Sequence, residues 1–152
     1  MRAPAAVRLE RFQKLIERVS FESSNGSIII VEGQKDRESL RSMGITGQIR
    51  CLQSSHKNVT GFVERLEESL CVVVLTDFDR EGISLAKRLS RSLHARGLRA
   101  NLVLWKSLRE LTRSEIRSIE ELPKYEERLQ NDMHFNHRYF DMVRTISTSR
   151  FE

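Results

Sequence analysis

Ile28–Val31 is an unbroken run of β-branched residues, and Leu70–Leu75 (Leu-Cys-Val-Val-Val-Leu) is a second apolar run with no polar member. A strand with one wet face alternates apolar and polar side chains. A strand without alternation is covered on both faces, as in a parallel sheet layered between helices. This feature points to an α/β arrangement before any motif is considered.

The intervening segments carry helical periodicity. Over residues 5–20, Phe12, Leu15, Ile16 and Val19 recur at helical spacing, while Arg8, Glu10, Arg11, Lys14, Glu17 and Arg18 fill the other face. Residues 36–43 turn Leu40 and Met43 inward, and residues 58–69 do the same with Val59, Phe62, Val63 and Leu66. Residues 81–96 set Gly82, Leu85, Ala86, Leu89 and Leu93 on one face, with Gly97 as a natural stop. Residues 48–52 read as a short strand. Residues 98–105 read as a fourth strand, more mixed and therefore at an edge. Repeated strand–helix units with right-handed crossovers predict a Rossmann-like, doubly wound α/β fold with a mostly parallel four-stranded sheet. The expected layout is an N-terminal helix (1–25), a core (26–106), a helical extension (107–144) and a flexible tail (145–152). Short helices are expected at 107–111 and 114–122, with Pro123 as an interruption.

A chain of 152 residues suits one domain, and 39% hydrophobic with 31% charged residues excludes disordered and low-complexity classes. No apolar run approaches the roughly 18 residues of a membrane span, and the first residues lack the apolar core of a secretory signal. Cys51 and Cys71 read as reduced core residues of a cytoplasmic protein. The net charge of +5 suits a polyanionic partner.

In open parallel sheets, ligands gather beyond the carboxyl ends of the strands, where strand order reverses. Glu32-Gly33 follows the first run, and Thr76-Asp-Phe-Asp-Arg-Glu-Gly82 follows the second. If those strands are neighbours, Glu32, Asp77 and Asp79 converge. Three close carboxylates either take up protons or require a cation. Their all-oxygen donors suit Mg²⁺, with Mn²⁺ as a substitute, and the scattered histidines His56, His94, His134 and His137 offer no zinc site. Such an ion stabilises charge on a phosphate, and a nearby carboxylate can move a proton. Asp79 also stands where a helix N-cap stands, and Glu81 suits the first-turn dipole. Asp77 and Glu32 have no local capping duty.

Ile28-Ile-Ile-Val-Glu-Gly-Gln-Lys-Asp36 and Val74–Gly82 resemble the Toprim domain of topoisomerases, bacterial-type primases and the maturase of 5S ribosomal RNA, over about residues 26–106. In length the chain is similar to small stand-alone Toprim proteins of archaea. The resemblance implies Glu32 as general acid/base, with Asp77, Asp79 and Glu32 around Mg²⁺. Several relatives have Lys directly after Glu-Gly; here Gln34 takes that place and Lys35 is shifted by one. The chain is too short for a strand-gating topoisomerase body, its only tyrosines are Tyr125 and Tyr139, and it lacks a template-gripping primase domain. The expected function is therefore a Mg²⁺-dependent phosphodiester hydrolase of the nuclease kind.

Substrate grip is expected from Gly33, Lys35, Ser54, Lys57 and Arg80 on the same rim, and from Lys87, Arg88 and Arg91 on the helix at 81–96. The expected partner is RNA or DNA, with protein partners in a larger complex as a further possibility and no membrane. Each of these residues also has a plainer reading, as a polar loop, a solvated helix face or a salt bridge. His134–Phe140 mixes aromatic and basic residues that could stack on bases or dock on the sheet, with docking the favoured expectation. Two other classes compete: a binding module without turnover, and a nucleotide-binding Rossmann domain. The second is disfavoured because no G-x-G-x-x-G or Walker loop is present.

Overall fold

The two apolar runs lie side by side at the centre of one parallel sheet. The computed structural model describes residues 2–53, 58–66, 71–112 and 115–148. Strand β1 (Ile28–Val31) pairs with β3 (Cys71–Val74), placing Ile29 opposite Val73 and Ile30 opposite Val74. Strand β2 (Ile49–Cys51) joins the free edge of β1, and β4 (Arg99–Asn101) joins that of β3. The order is β2-β1-β3-β4, with every pair parallel. The chain leaves β1 toward one edge and returns to β3 on the other side, so strand order reverses between β1 and β3. Ile29, Ile30, Val31, Val72, Val73 and Val74 are fully buried, which is why neither strand alternates.

Helix α1 (Ala5–Ser24) buries Leu9, Phe12, Ile16 and Val19, and Phe12 packs on Tyr125 with ring centroids 5.5 Å apart. Helix α2 (Gln34–Ser42) follows β1, and α3 (Val59–Glu64) precedes β3. Helix α4 (Arg80–Ala95) buries Leu85, Leu89 and Leu93, each contributing about 1.5–3 kcal/mol of transfer free energy. It ends at Gly97, whose φ of +79° suits glycine. Helices α3 and α4 pack together, as do α1, α5 (Val103–Thr112) and α6 (Leu122–Thr148).

The region after β4 departs from the sequence reading. The fourth strand ends at Asn101, and Val103 already opens α5. Asn101 accepts a hydrogen bond from the Val103 N–H at 3.0 Å, a turn that stops the strand. Leu104, Trp105 and Leu108 then face inward at helical spacing, so a short apolar run that suits either element became a helix. Pro123 does not interrupt. It is the second residue of α6, where its missing N–H has no intrahelical partner to lose. The preceding 3₁₀ turn (Ile119–Glu121) is braced by the Glu121 carboxylate, which accepts from the N–H groups of Arg117 and Ser118 at 2.8 and 3.0 Å. Helix α6 then runs through residues 131–148, about 40 Å end to end. Its buried face stops at Leu129, and Phe135 and Phe140 are 71% and 69% exposed, so His134–Phe140 does not dock on the sheet. Residues 67–69, expected in the third helix, and Leu70, expected to open the second apolar strand, lie outside the described residues. Cys51 and Cys71 form no disulfide and are half-buried, with Cys51 packed against the core. No described helix is long and apolar enough to cross a membrane.

Candidate functional site at the carboxyl edge of the sheet

Glu32 leaves the end of β1, and Asp77 leaves the β3 side. Because those strands are hydrogen-bonded neighbours, the two residues meet at the reversal of strand order. The Asp77 N–H donates to Glu32 Oε2 at 2.6 Å, a short charge-assisted bond that ties the two strand ends together. Asp77 Oδ1 in turn accepts from the Ile119 N–H at 3.1 Å, drawing the 3₁₀ turn over the site. The lack of a local capping duty for these two acids is explained by long-range backbone bonds.

A third acid, Asp36, was not singled out as a site residue from the sequence. It sits in the first turn of α2, 6% exposed, and accepts from the N–H groups of Gly33 (3.0 Å) and Glu120 (3.1 Å). It lies four residues past Glu32, one helical turn from the strand end, and that spacing was the available signal. Burial raises the pKa of Asp36, against the pull of its two backbone donors. Asp77 is pushed up to about 8, by burial first and then by the negative charges of Asp36 and Glu32. In the absence of a cation this environment favours the protonated form of Asp77.

Asp79 behaves differently. It is the N-cap of α4, exposed, with Oδ1 accepting from the Gly82 N–H at 2.7 Å. Gly82 allows this geometry: a Cβ there would lie 2.0 Å from the Asp77 carbonyl oxygen. The loop between the two aspartates is held on several sides. Trp105 Nε1–H donates to the Thr76 carbonyl (2.8 Å), the Thr76 hydroxyl donates to the Gly82 carbonyl (2.8 Å), and the Phe78 N–H donates to the Arg117 carbonyl (2.8 Å). Among the described residues, no three His, Cys, Asp or Glu side chains stand together ready to hold a metal ion. Glu32, Asp36 and Asp77 are coupled by charge, while Asp79 faces outward beside them.

The proposed phosphate contacts separate spatially. Gly33 directs its N–H to Asp36. Lys35 is exposed on α2 and lines a shallow groove with Lys124, Glu38, Glu120 and Glu121. Arg80 lines a cleft of about 580 Å³ beside Asp79, together with Lys106, Arg109 and Arg117. Lys87 and Arg91 are exposed on α4 and Arg88 is half-buried, with Arg91 about 16 Å along the helix from its start. Ser54 and Lys57 lie outside the described residues. Lys106 and Arg109 of α5 and Arg117 after it are far from Asp79 in sequence, and only the fold brings them to the same cleft.

Comparison with known proteins agrees with this architecture. A model of the Toprim domain matches residues 26–103. The UPF0292 protein of Methanosarcina barkeri is 37% identical over 81% of this chain and 85% of its own length. That of Thermococcus kodakarensis is 32% identical over 74% of this chain and 81% of its own. A solved protein of Aquifex aeolicus, 24% identical, superposes with a TM-score of 0.61 over 71% of this chain and 94% of its own, showing the shared fold. Toprim domains occur in enzymes that act on nucleic acids, and they typically bind Mg²⁺. A buried parallel β1–β3 pair, a strand-end Glu-Gly and an Asp-x-Asp at the adjacent strand end all fall within the matched segment: the chain belongs to the Toprim domain family.

Proposed function

We propose that this protein is a Mg²⁺-dependent enzyme that cleaves nucleic-acid phosphodiesters. The observation that carries this reading is the Glu32–Asp77 junction, where burial and two neighbouring acids push Asp77 up to about 8. Buried acids sharing too few countercharges are strained unless a proton or a cation is supplied, and carboxylate oxygens suit Mg²⁺. Asp77 and Asp79, with Glu32 behind them, would hold the ion, which when bound would neutralise charge on the phosphate oxygens.

The residues around that position have distinct duties. Glu32, fixed by the Asp77 N–H, keeps its carboxylate at the strand end, where it serves as the proton-transferring group. Asp36 holds Gly33 and Glu120 and adds negative charge behind Asp77. Arg80, at the start of α4, contributes a guanidinium suited to a phosphate.

The decisive experiment is incubation of labelled RNA and DNA with Mg²⁺ or Mn²⁺. Cleavage by the wild type and its loss in Asp77→Asn with Asp79→Asn support the reading; cleavage that survives in the double variant contradicts it. A second reading, binding without turnover, draws on Asp79: its carboxylate already caps α4 through Gly82. Salt-sensitive binding with no cleavage under any divalent metal would favour it.

A further inference from the structure

Helix α5 is a ridge between two clefts, each of about 580 Å³. The first lies between α1 and α5. Its α1 wall carries Arg8, Arg11, Lys14, Leu15 and Arg18, which recur every three or four residues and so form one stripe, with Arg2 at one end. Ser107, Glu110 and Leu111 of α5 form the facing wall. The second cleft begins at Asp79 and Arg80 and continues along Lys106, Arg109 and Arg117. Glu110 lines both, so the clefts meet across the exposed edge of α5.

Charge along this path is one-sided. Among the described residues, nine cations line the two clefts against two acids, Asp79 and Glu110. Arg2 and Arg8 pair with Glu115, and Lys14 with Glu10. Among the described residues Arg11, Arg18, Arg80, Lys106, Arg109 and Arg117 make no ion pair. Arg109 also lies 5.6 Å from the Trp105 ring centroid, which orients its guanidinium. Like charges on a shared groove are costly unless a polyanion occupies it. Arginine forks match phosphate oxygens in particular. Arg11 to Arg18 span about 10 Å, enough for roughly three successive phosphates of one strand. All residues of the first cleft lie outside the segment 26–103 shared with the Toprim model, so this surface belongs to what this chain adds to that domain.

We propose that the joined clefts over α5 are the track for a nucleic-acid strand, which enters along the α1 stripe and leads its phosphate backbone past Arg109 and Arg80 to the carboxylates. This rests on the reading of Glu32, Asp77 and Asp79 as a phosphodiester site, and it places the grip on α1 and α5 instead of on the Lys87–Arg91 face of α4.

Fluorescence anisotropy with labelled single-stranded RNA, single-stranded DNA and duplex DNA, in EDTA across about 50–200 mM salt, tests the track. Arg11→Ala with Lys14→Ala and Arg18→Ala should weaken binding and reduce the slope of log K against log salt by about 2, roughly 0.7 for each lost contact to a single strand. Arg11→Lys with Arg18→Lys should retain binding, which separates charge from folding. Lys106→Ala should lower the slope by a smaller step. Lys87→Ala with Arg91→Ala should leave both affinity and slope unchanged. The proposal fails if the wild type binds none of the probes, if the triple alanine variant, folded by circular dichroism, binds as wild type does, or if the loss falls on the α4 variant. Groove-dependent binding without cleavage under any metal would leave the track standing and overturn the nuclease reading alone.

Discussion

The carboxyl edge of the sheet and the flank formed by α1 and α5 are built on opposite plans. At the edge, Glu32, Asp36 and Asp77 are each held by backbone N–H groups, and charge of one sign is forced into a partly buried space. On the flank, Arg11, Arg18, Lys106 and Arg109 are exposed side chains. The first arrangement fixes a few oxygens in place at a cost in stability. The second leaves long cations to settle on whatever polyanion lies there, at little cost. Substitutions should therefore affect chemistry and folding at the edge, and affinity on the flank.

The largest expected effect is catalytic. Glu32→Gln should reduce metal-dependent cleavage by about 10²–10⁴-fold, the range expected for loss of a proton-transferring group, while binding in EDTA stays unchanged. Equal losses of cleavage and binding would erase the contrast between the two regions. Next is Gly82→Ala, which sets a Cβ 2.0 Å from the Asp77 carbonyl oxygen, against backbone that cannot move aside. We expect it to destabilise the fold by about 1–3 kcal/mol or more in urea unfolding.

The third effect is pH-dependent. Asp77 has a folded pKa near 8, above its ordinary 3.8, so the folded state holds this proton more tightly than the unfolded chain. Its contribution to stability is complete below pH 4 and is lost as pH rises from there through about 8. Asparagine mimics the protonated form. Without metal, Asp77→Asn should therefore match the wild type near pH 4 and exceed it at pH 8–9, read as the urea midpoint at each pH. The smallest effect belongs to the flank. Lys14→Ala removes an exposed i,i+4 pair with Glu10 and should change stability by no more than about 0.5 kcal/mol.

Much of the edge was legible in the sequence because it depends on strand ends. Two non-alternating apolar runs identify buried parallel strands, and the residue following each is placed by the sheet itself. That pattern places Glu32 and Asp77 at adjacent strand ends, where the structure has them in contact, and it offers Asp79 as an N-cap, which the structure displays. Asp36 is less conspicuous because it stands in the first turn of a helix, where an acid ordinarily serves the dipole. The flank was not legible at all. Arg11, Lys14 and Arg18 read as a solvated helix face, and only the packing of α1 on α5 turns that face into the wall of a cleft. The start of α5 was hidden for a related reason: Leu102–Trp105 is apolar enough for a strand, and the Asn101 turn that ends β4 is a matter of local geometry.

The central claim is that the acids at the β1–β3 ends form a divalent cation site. Calorimetric titration of Mn²⁺ into the wild type, Asp77→Asn and Glu32→Gln proteins at neutral pH tests it most directly, because it requires no substrate. The account predicts saturable binding by the wild type, with proton release as Asp77 ionises, and loss of that binding in Asp77→Asn. Equal Mn²⁺ binding by the wild type and Asp77→Asn, or no binding by the wild type, would contradict it.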